Sequence, residues 1–308
     1  NYLFGFALFT ALGATIAEIT SCRGTDNISI PIVSILFMIG YFSHVSESGQ
    51  FFELTVSSSS ILLFIVILLL FAAYYYGSLS RSGFYGALIM GIIVTLIGSW
   101  RFLFPLAAFF ILSSLLSKIV KNTSFYQTKG SARDIVQVYA NGGIALLICI
   151  FDFIQPNAIN FFLFLASISA AMSDTWATEI GKISKKRPIS IVSFIPMDHG
   201  LSGGITRIGI IGSLLGSSLF GFTIWCVIPM PSFIVYGIIL CGFVGSIFDS
   251  FLGATIQAKY ETQTGEIIES SQEGAIFISG ISWVNNDMVN LINTAFTPIL
   301  MYFYLKLF

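Results

Sequence analysis

Charge is what this sequence has least of. Asp, Glu, Lys and Arg make up 9% of its 308 residues while 56% are hydrophobic, against about a quarter charged in an ordinary soluble domain. With a mean hydropathy of +0.89, the chain belongs to the membrane class before any motif is read. Histidine is reduced to two residues, too few for the usual zinc centre. The four cysteines, at 22, 149, 226 and 241, stand far apart in apolar stretches, with neither CxxC spacing nor a disulfide framework, and read as helix packing. A basic surface is missing too: a net charge of −1 and a pI near 6.1 exclude a broad nucleic-acid-binding face. The chain opens on Asn1 and is apolar at once, without the basic start or cleavage site of a signal peptide, and reads as a piece of something longer.

What is present is a series of apolar runs of about 20 residues, the length that spans a bilayer as a helix. They lie near 3–20, 29–45, 57–77, 83–99, 102–118, 135–154, 159–179, 207–228, 232–256 and 281–305. The expected fold is therefore all-α, a polytopic integral membrane protein with about ten transmembrane helices. If the connections alternate, twelve of the fourteen Lys and Arg residues fall on one side, leaving only Arg101 and Lys306 opposite. The positive-inside rule makes that side cytoplasmic. Residues 46–60, polar and serine-rich, are the expected boundary between a segment 1–50 and a unit 55–308.

Several runs carry polar side chains four apart, hence on one helix face. Arg133, Gln137 and Asn141 form one stripe; Asn286, Asn290, Asn293 and Thr297 another, beside Asp287; Gly245, Asp249, Gly253 and Gln257 a third; Ser113, Ser117 and Lys121 a weaker fourth. All begin or end at the proposed cytoplasmic face. Gly212, Ser213, Gly216, Ser217 and Gly221 read instead as helix packing. Carboxylates within the bilayer cost several kcal/mol unless solvated or paired, so Glu18, Asp174, Glu179, Asp249 and Asp287 are the functional candidates. Asp174 and Glu179 are five apart, about 140° around an ideal helix. Both face one ligand only where the helix frays or the ligand sits at its end.

After Glu179 come Lys182, Lys185, Lys186 and Arg187, and then Gly200, Leu201, Ser202, Gly203 and Gly204. A glycine-rich turn offers backbone N–H groups that can cradle phosphate, although the same string also makes an ordinary loop. Carboxylates, amides, cations and such a turn on one face suggest Mg²⁺-nucleotide chemistry, because Mg²⁺ takes hard oxygen ligands and bridges phosphates. An acceptor that is itself a phosphate is already ionised near neutral pH, so a general base becomes optional and the scarcity of histidine raises no objection.

At this point the residues resemble a family: membrane kinases of isoprenoid monophosphates, typified by phytyl-phosphate kinase of the tocopherol pathway, with a related, largely uncharacterised transmembrane family. The matching pieces are KGSARDIVQVYANGG (129–143), SDTWATEIG (173–181), GLSGGITRIG (200–209), GFVGSIFDSFLGATIQ (242–257) and NNDMVN (285–290), in family order across roughly residues 80–308. One departure is that the family pattern Gly-Thr-x-Gly-Gly is here Gly200, Leu201, Ser202, Gly203 and Gly204, so Leu201 stands where the pattern has its threonine. Segment 1–50 resembles the C-terminal end of CTP-dependent phytol and dolichol kinases, through Glu18 and Asp26 to Pro31.

The resemblance implies a kinase that phosphorylates a prenyl monophosphate, phytyl phosphate first of all, from a nucleoside triphosphate, with CTP favoured by analogy. Asp174, Glu179, Asp249 and Asp287 would hold Mg²⁺, with Asp174, Asp249 and Arg133 catalytic. Arg133, Lys182 and Arg207 would neutralise phosphates, the Gly200, Gly203 and Gly204 turn would cradle them, and Gln137, Asn141, Asn286 and Asn290 would position the ligands. Expected partners are the nucleotide, the prenyl phosphate and membrane lipids, with no nucleic acid; the sequence is compatible with a homo-oligomer. The expected location is a bacterial inner membrane or a plastid envelope, with the site on the cytoplasmic or stromal face. Rival readings are a cytidylyltransferase making a CDP-lipid, an ion-coupled transporter or flippase, and a non-catalytic scaffold.

Overall fold

The computed structural model describes residues 2–20, 56–121 and 132–308, together with 30, 31, 33–35 and 38. Cys22, Asp26 to Ser29, Lys129 and most of the expected boundary 46–60 lie outside the described residues. The helices are α1 (Tyr2–Thr20), α2 (Val56–Tyr75), α3 (Arg81–Lys121), α4 (Ile135–Ile154), α5 (Ala158–Gly181), α6 (Arg207–Val227), α7 (Ser232–Thr255) and α8 (Asn286–Leu305). Among the described residues six helices, α3 to α8, are long and apolar enough to cross a membrane. The expected count of ten is therefore not reached there, although α3 accounts for two of the expected runs.

The reason is a break inside α3. Ser99 adopts φ 57° and ψ −168°, which no helix accommodates. Arg133 ties both ends of α3 to one place: its carbonyl accepts from the Ser80 amide at 2.9 Å, and its Nη1 donates to Ser114 Oγ at 3.2 Å. The chain thus goes out along 81–98 and returns along 100–121. At the far end, Arg101 lies 4.4 Å over the Phe161 ring, and Phe102 meets Phe161 and Phe164 edge-on.

Helix α5 is the hub. Its residues from Phe164 to Ser173 are all buried, which explains a run of small and hydroxyl side chains where a lipid-facing helix would carry Leu and Ile. Ser167 Oγ donates to the Thr294 carbonyl of α8, Ser169 Oγ to Ile238 of α7 and Ser173 Oγ to Ser213 of α6, each at 2.9 Å. Hydroxyl-to-carbonyl bonds and small residues are what hold helices together when lipid removes the hydrophobic drive. The α5–α6 seam follows that rule. A Cβ at Gly216 would meet the Trp176 side chain at 2.7 Å, in keeping with the packing role read for Gly212, Ser213, Gly216 and Ser217. Large apolar side chains such as Phe64, Phe71, Leu215, Trp225 and Phe303 are exposed on the outside, where hydrocarbon would cover them.

The connections at the polar end are folded. Strands β1 (Ile189–Ser190) and β2 (Gly204–Ile205) pair antiparallel. β3 (Lys259–Glu261), β4 (Ile267–Ile268) and β5 (Ile276–Ser279) form a sheet in the order β4-β3-β5.

Candidate functional site

Three helices bring the site together. Asp174 is on α5, Asp249 on α7 and Asn293 on α8. The Asp174 and Asp249 carboxylates lie close enough for the charge of one to act on the other, and the Asn293 side chain faces the Asp249 carboxyl. Gly245, one turn before Asp249, makes this approach achievable: a Cβ there would lie 2.6 Å from Thr297 Cγ2 and 2.8 Å from Asn293 Oδ1. Asp249 Oδ2 and Asn293 Oδ1 are both buried without a hydrogen-bond partner in the protein. Two acceptor oxygens left unsatisfied in an apolar bundle, within electrostatic reach of a second carboxylate, are costly unless a proton, a water or a cation completes them. Their hardness and charge fit Mg²⁺.

The expected four-carboxylate set does not converge on that point, and among the described residues no three His, Cys, Asp or Glu side chains gather around one position. Glu179 pairs with Lys182 at 2.9 Å. Asp287 sits in the first turn of α8, where a carboxylate suits the helix dipole, and the charge acting on it is that of Asp134. Gln137 works in a capping box: its amide donates to Asp134 Oδ1 at 3.0 Å, and its Oε1 accepts from the Asp134 amide at 3.3 Å. Asn141 Nδ2 donates to the Gln137 carbonyl at 2.9 Å. Asn290 is half-buried, whereas Asn286 and Arg207 are exposed.

The glycine turn is built for docking. Gly203 has φ 84°, and a Cβ on it would fall 2.5 Å from the Ala254 backbone of α7, so no side chain is tolerated there. Glu269, directly after β4, accepts from both the amide and the hydroxyl of Ser202, so one N–H of the expected phosphate cradle already faces a carboxylate. Beside it a recess of about 370 Å³ lies between Asp198–Leu201 and Glu266–Gln272. Asp198, Glu266 and Glu269 line it with no Lys or Arg, so a phosphate there requires an accompanying cation.

Arg133 is separate again. Its guanidinium donates to Ser114 and lies 5.8 and 5.6 Å from the Phe109 and Phe110 rings. Burial holds it below its ordinary ionisation range, an effect opposed by the charge of Glu179. Sequence reasoning had Asn293 within a stripe without giving it a role, and it missed Glu269. The first was signalled by its spacing from Asn286 and Asn290; the second carries no periodic signal.

The family model described as integral membrane protein DUF92 matches residues 64–298. The chain belongs to the DUF92 family of integral membrane proteins. Asp174, Asp249 and Asn293 all lie within the DUF92 match. The chain is 30% identical to an uncharacterised membrane protein of Methanocaldococcus jannaschii, over 59% of this chain and 76% of that protein. It is 28% identical to Protein PGR of Arabidopsis thaliana, over 71% of this chain and 85% of the relative. Protein VTE6, chloroplastic, also of Arabidopsis thaliana, is 26% identical over 70% of this chain and 62% of its own length. No solved structure matches the chain.

Proposed function

We propose that this DUF92 member is a membrane kinase that transfers the γ-phosphate of a nucleoside triphosphate to a prenyl monophosphate, with phytyl phosphate the first substrate to test. Residues 55–308 form the catalytic unit, and 1–50 are the end of a phytol or dolichol kinase-like domain. The observation that carries the reading is the Asp174–Asp249–Asn293 oxygen cluster, with two of its buried acceptors unsatisfied. The motif resemblance across roughly residues 80–308, and the similarity to a chloroplast protein, support the choice of substrate class.

Asp174, Asp249 and Asn293 would hold Mg²⁺, which offsets nucleotide charge during transfer. An oxygen of the acceptor phosphate attacks the γ-phosphorus, the bond between the β,γ-bridging oxygen and that phosphorus breaks, and the nucleoside diphosphate leaves. The attacking oxygen is already ionised, so no side chain need take its proton. Lys182 and Arg207 flank the polar end and neutralise the phosphates, while α5, α7 and α8 fix the three oxygen ligands on rigid backbone. The site faces the cytoplasm or stroma.

The products distinguish this from its rivals. Purified protein given CTP, Mg²⁺ and phytyl phosphate should release CDP and phytyl diphosphate. Release of pyrophosphate with a CDP-lipid would identify a cytidylyltransferase instead, and nucleotide left intact with every prenyl phosphate would refute the kinase.

A further inference from the structure

A second polar feature stands outside the carboxylate cluster. Where the turn after α2 meets the end of α3, a recess of about 90 Å³ is lined by Tyr76, Ser78, Ser114, Ser117, Lys118 and Arg133. One water needs only about 10–15 Å³ of such space, so a tetrahedral anion has room. Two of these side chains are cations, and none is acidic. Among the described residues neither closes an ion pair: Lys118 Nζ stands 4.8 Å above the Tyr76 ring, and Arg133 is bonded to the neutral Ser114 hydroxyl. Arginine has five donors in a fixed fork, and Ser114, having accepted from Arg133, can still donate its own O–H.

The surroundings say what carries the anion. Beside Lys118 and on down the helix, α3 presents Ile119, Leu115 and Ile111 outward, all exposed and four residues apart, hence in one line. Tyr75 and Tyr76, both exposed, stand at the mouth, as aromatic residues do at a membrane–water interface. A phosphate head at Lys118 and Arg133 would thus continue onto an apolar line of side chains along α3.

We infer that this recess binds the phosphate head of a membrane amphiphile, with its chain lying along Ile111, Leu115 and Ile119. Neither Asp174 nor Asp249 lines it, so the inference does not rest on the kinase reading.

The test is binding to the full chain in neutral detergent, without nucleotide or Mg²⁺, followed by native mass spectrometry and microscale thermophoresis. The probes are dodecyl phosphate, phosphatidylglycerol, dodecanol and inorganic phosphate. Either phosphate-headed lipid should bind, and the tighter of the two identifies whether a monoester or a phospholipid is the natural occupant. Lys118→Glu, at an exposed position, and Ser117→Leu, which fills the recess, should each weaken binding about tenfold or more, the worth of one charge-assisted contact. Equal binding of dodecanol, inorganic phosphate binding as tightly as the lipids, or unchanged affinity in both variants would overturn the inference.

Discussion

Glu269 grips Ser202 with both carboxylate oxygens: Oε1 accepts from the amide and Oε2 from the hydroxyl, the latter at 2.8 Å. Buried Gln257, two residues past α7, donates from Nε2 to the same Oε2 at 2.9 Å. One side chain therefore pins the 259–279 sheet to the 200–204 turn and to α7. Glu269→Ala leaves the buried Gln257 side-chain amide without its acceptor, a loss of about 1–3 kcal/mol. It should lower the thermal unfolding midpoint in detergent, and an unmoved midpoint would deny the pin any structural weight.

The Asp174–Asp249 pair costs the fold stability. Two carboxylates held together in an apolar bundle repel, so Asp249→Asn, nearly the same shape, should raise the unfolding midpoint of the metal-free protein. Mg²⁺ should raise the midpoint of the unaltered protein and leave that of the variant in place. A variant that gained the same Mg²⁺ shift would remove Asp249 from the ligand set.

Two glycines of one turn should behave differently. Gly203 and Gly200 both have positive φ, but a Cβ at Gly203 would strike the Ala254 backbone while one at Gly200 would meet nothing. Gly200→Ala should cost about 1 kcal/mol from backbone strain alone. Gly203→Ala should cost more and loosen the turn from α7, visible as faster proteolysis near residues 200–204. Equal losses would mean that the turn does not dock as described.

The helices were largely legible in the sequence because apolar runs report burial in lipid directly. The expected 135–154 is α4, and 232–256 differs from α7 by one residue. The last run, expected from 281, begins at Asn286 because Asn285 caps the helix, accepting from the Met288 amide at 3.0 Å. The sheet of 259–279 left no trace, since strands of two to four residues have no measurable alternation. Periodicity put Asp249 and Asn293 on polar faces but could not say that these faces meet, because that depends on which helices are neighbours. Gln137 shows the converse: its spacing put it in a polar stripe and the resemblance implied a ligand contact, while its side chain closes a capping box with Asp134.

The sidedness of the charges can be tested with cysteines. Cys226, exposed near the far end of α6, and Lys185→Cys in the basic loop should lie on opposite faces. In cells expressing the protein in the inner membrane, a membrane-impermeant maleimide should reach Cys226 from outside and the cysteine at position 185 only in inverted vesicles. Labelling of both from one side would break the alternation of spans.

The central claim is phosphoryl transfer at the Asp174–Asp249–Asn293 cluster. The most direct measurement gives purified protein phytyl phosphate, Mg²⁺ and each of the four nucleoside triphosphates in turn, and follows phytyl diphosphate with Asp249→Asn alongside. Diphosphate should form with at least one nucleotide and fall by about a hundredfold or more in the variant, the scale on which lost transition-state charge stabilisation is felt. No diphosphate with any nucleotide would contradict the kinase, and full activity in Asp249→Asn would contradict the site.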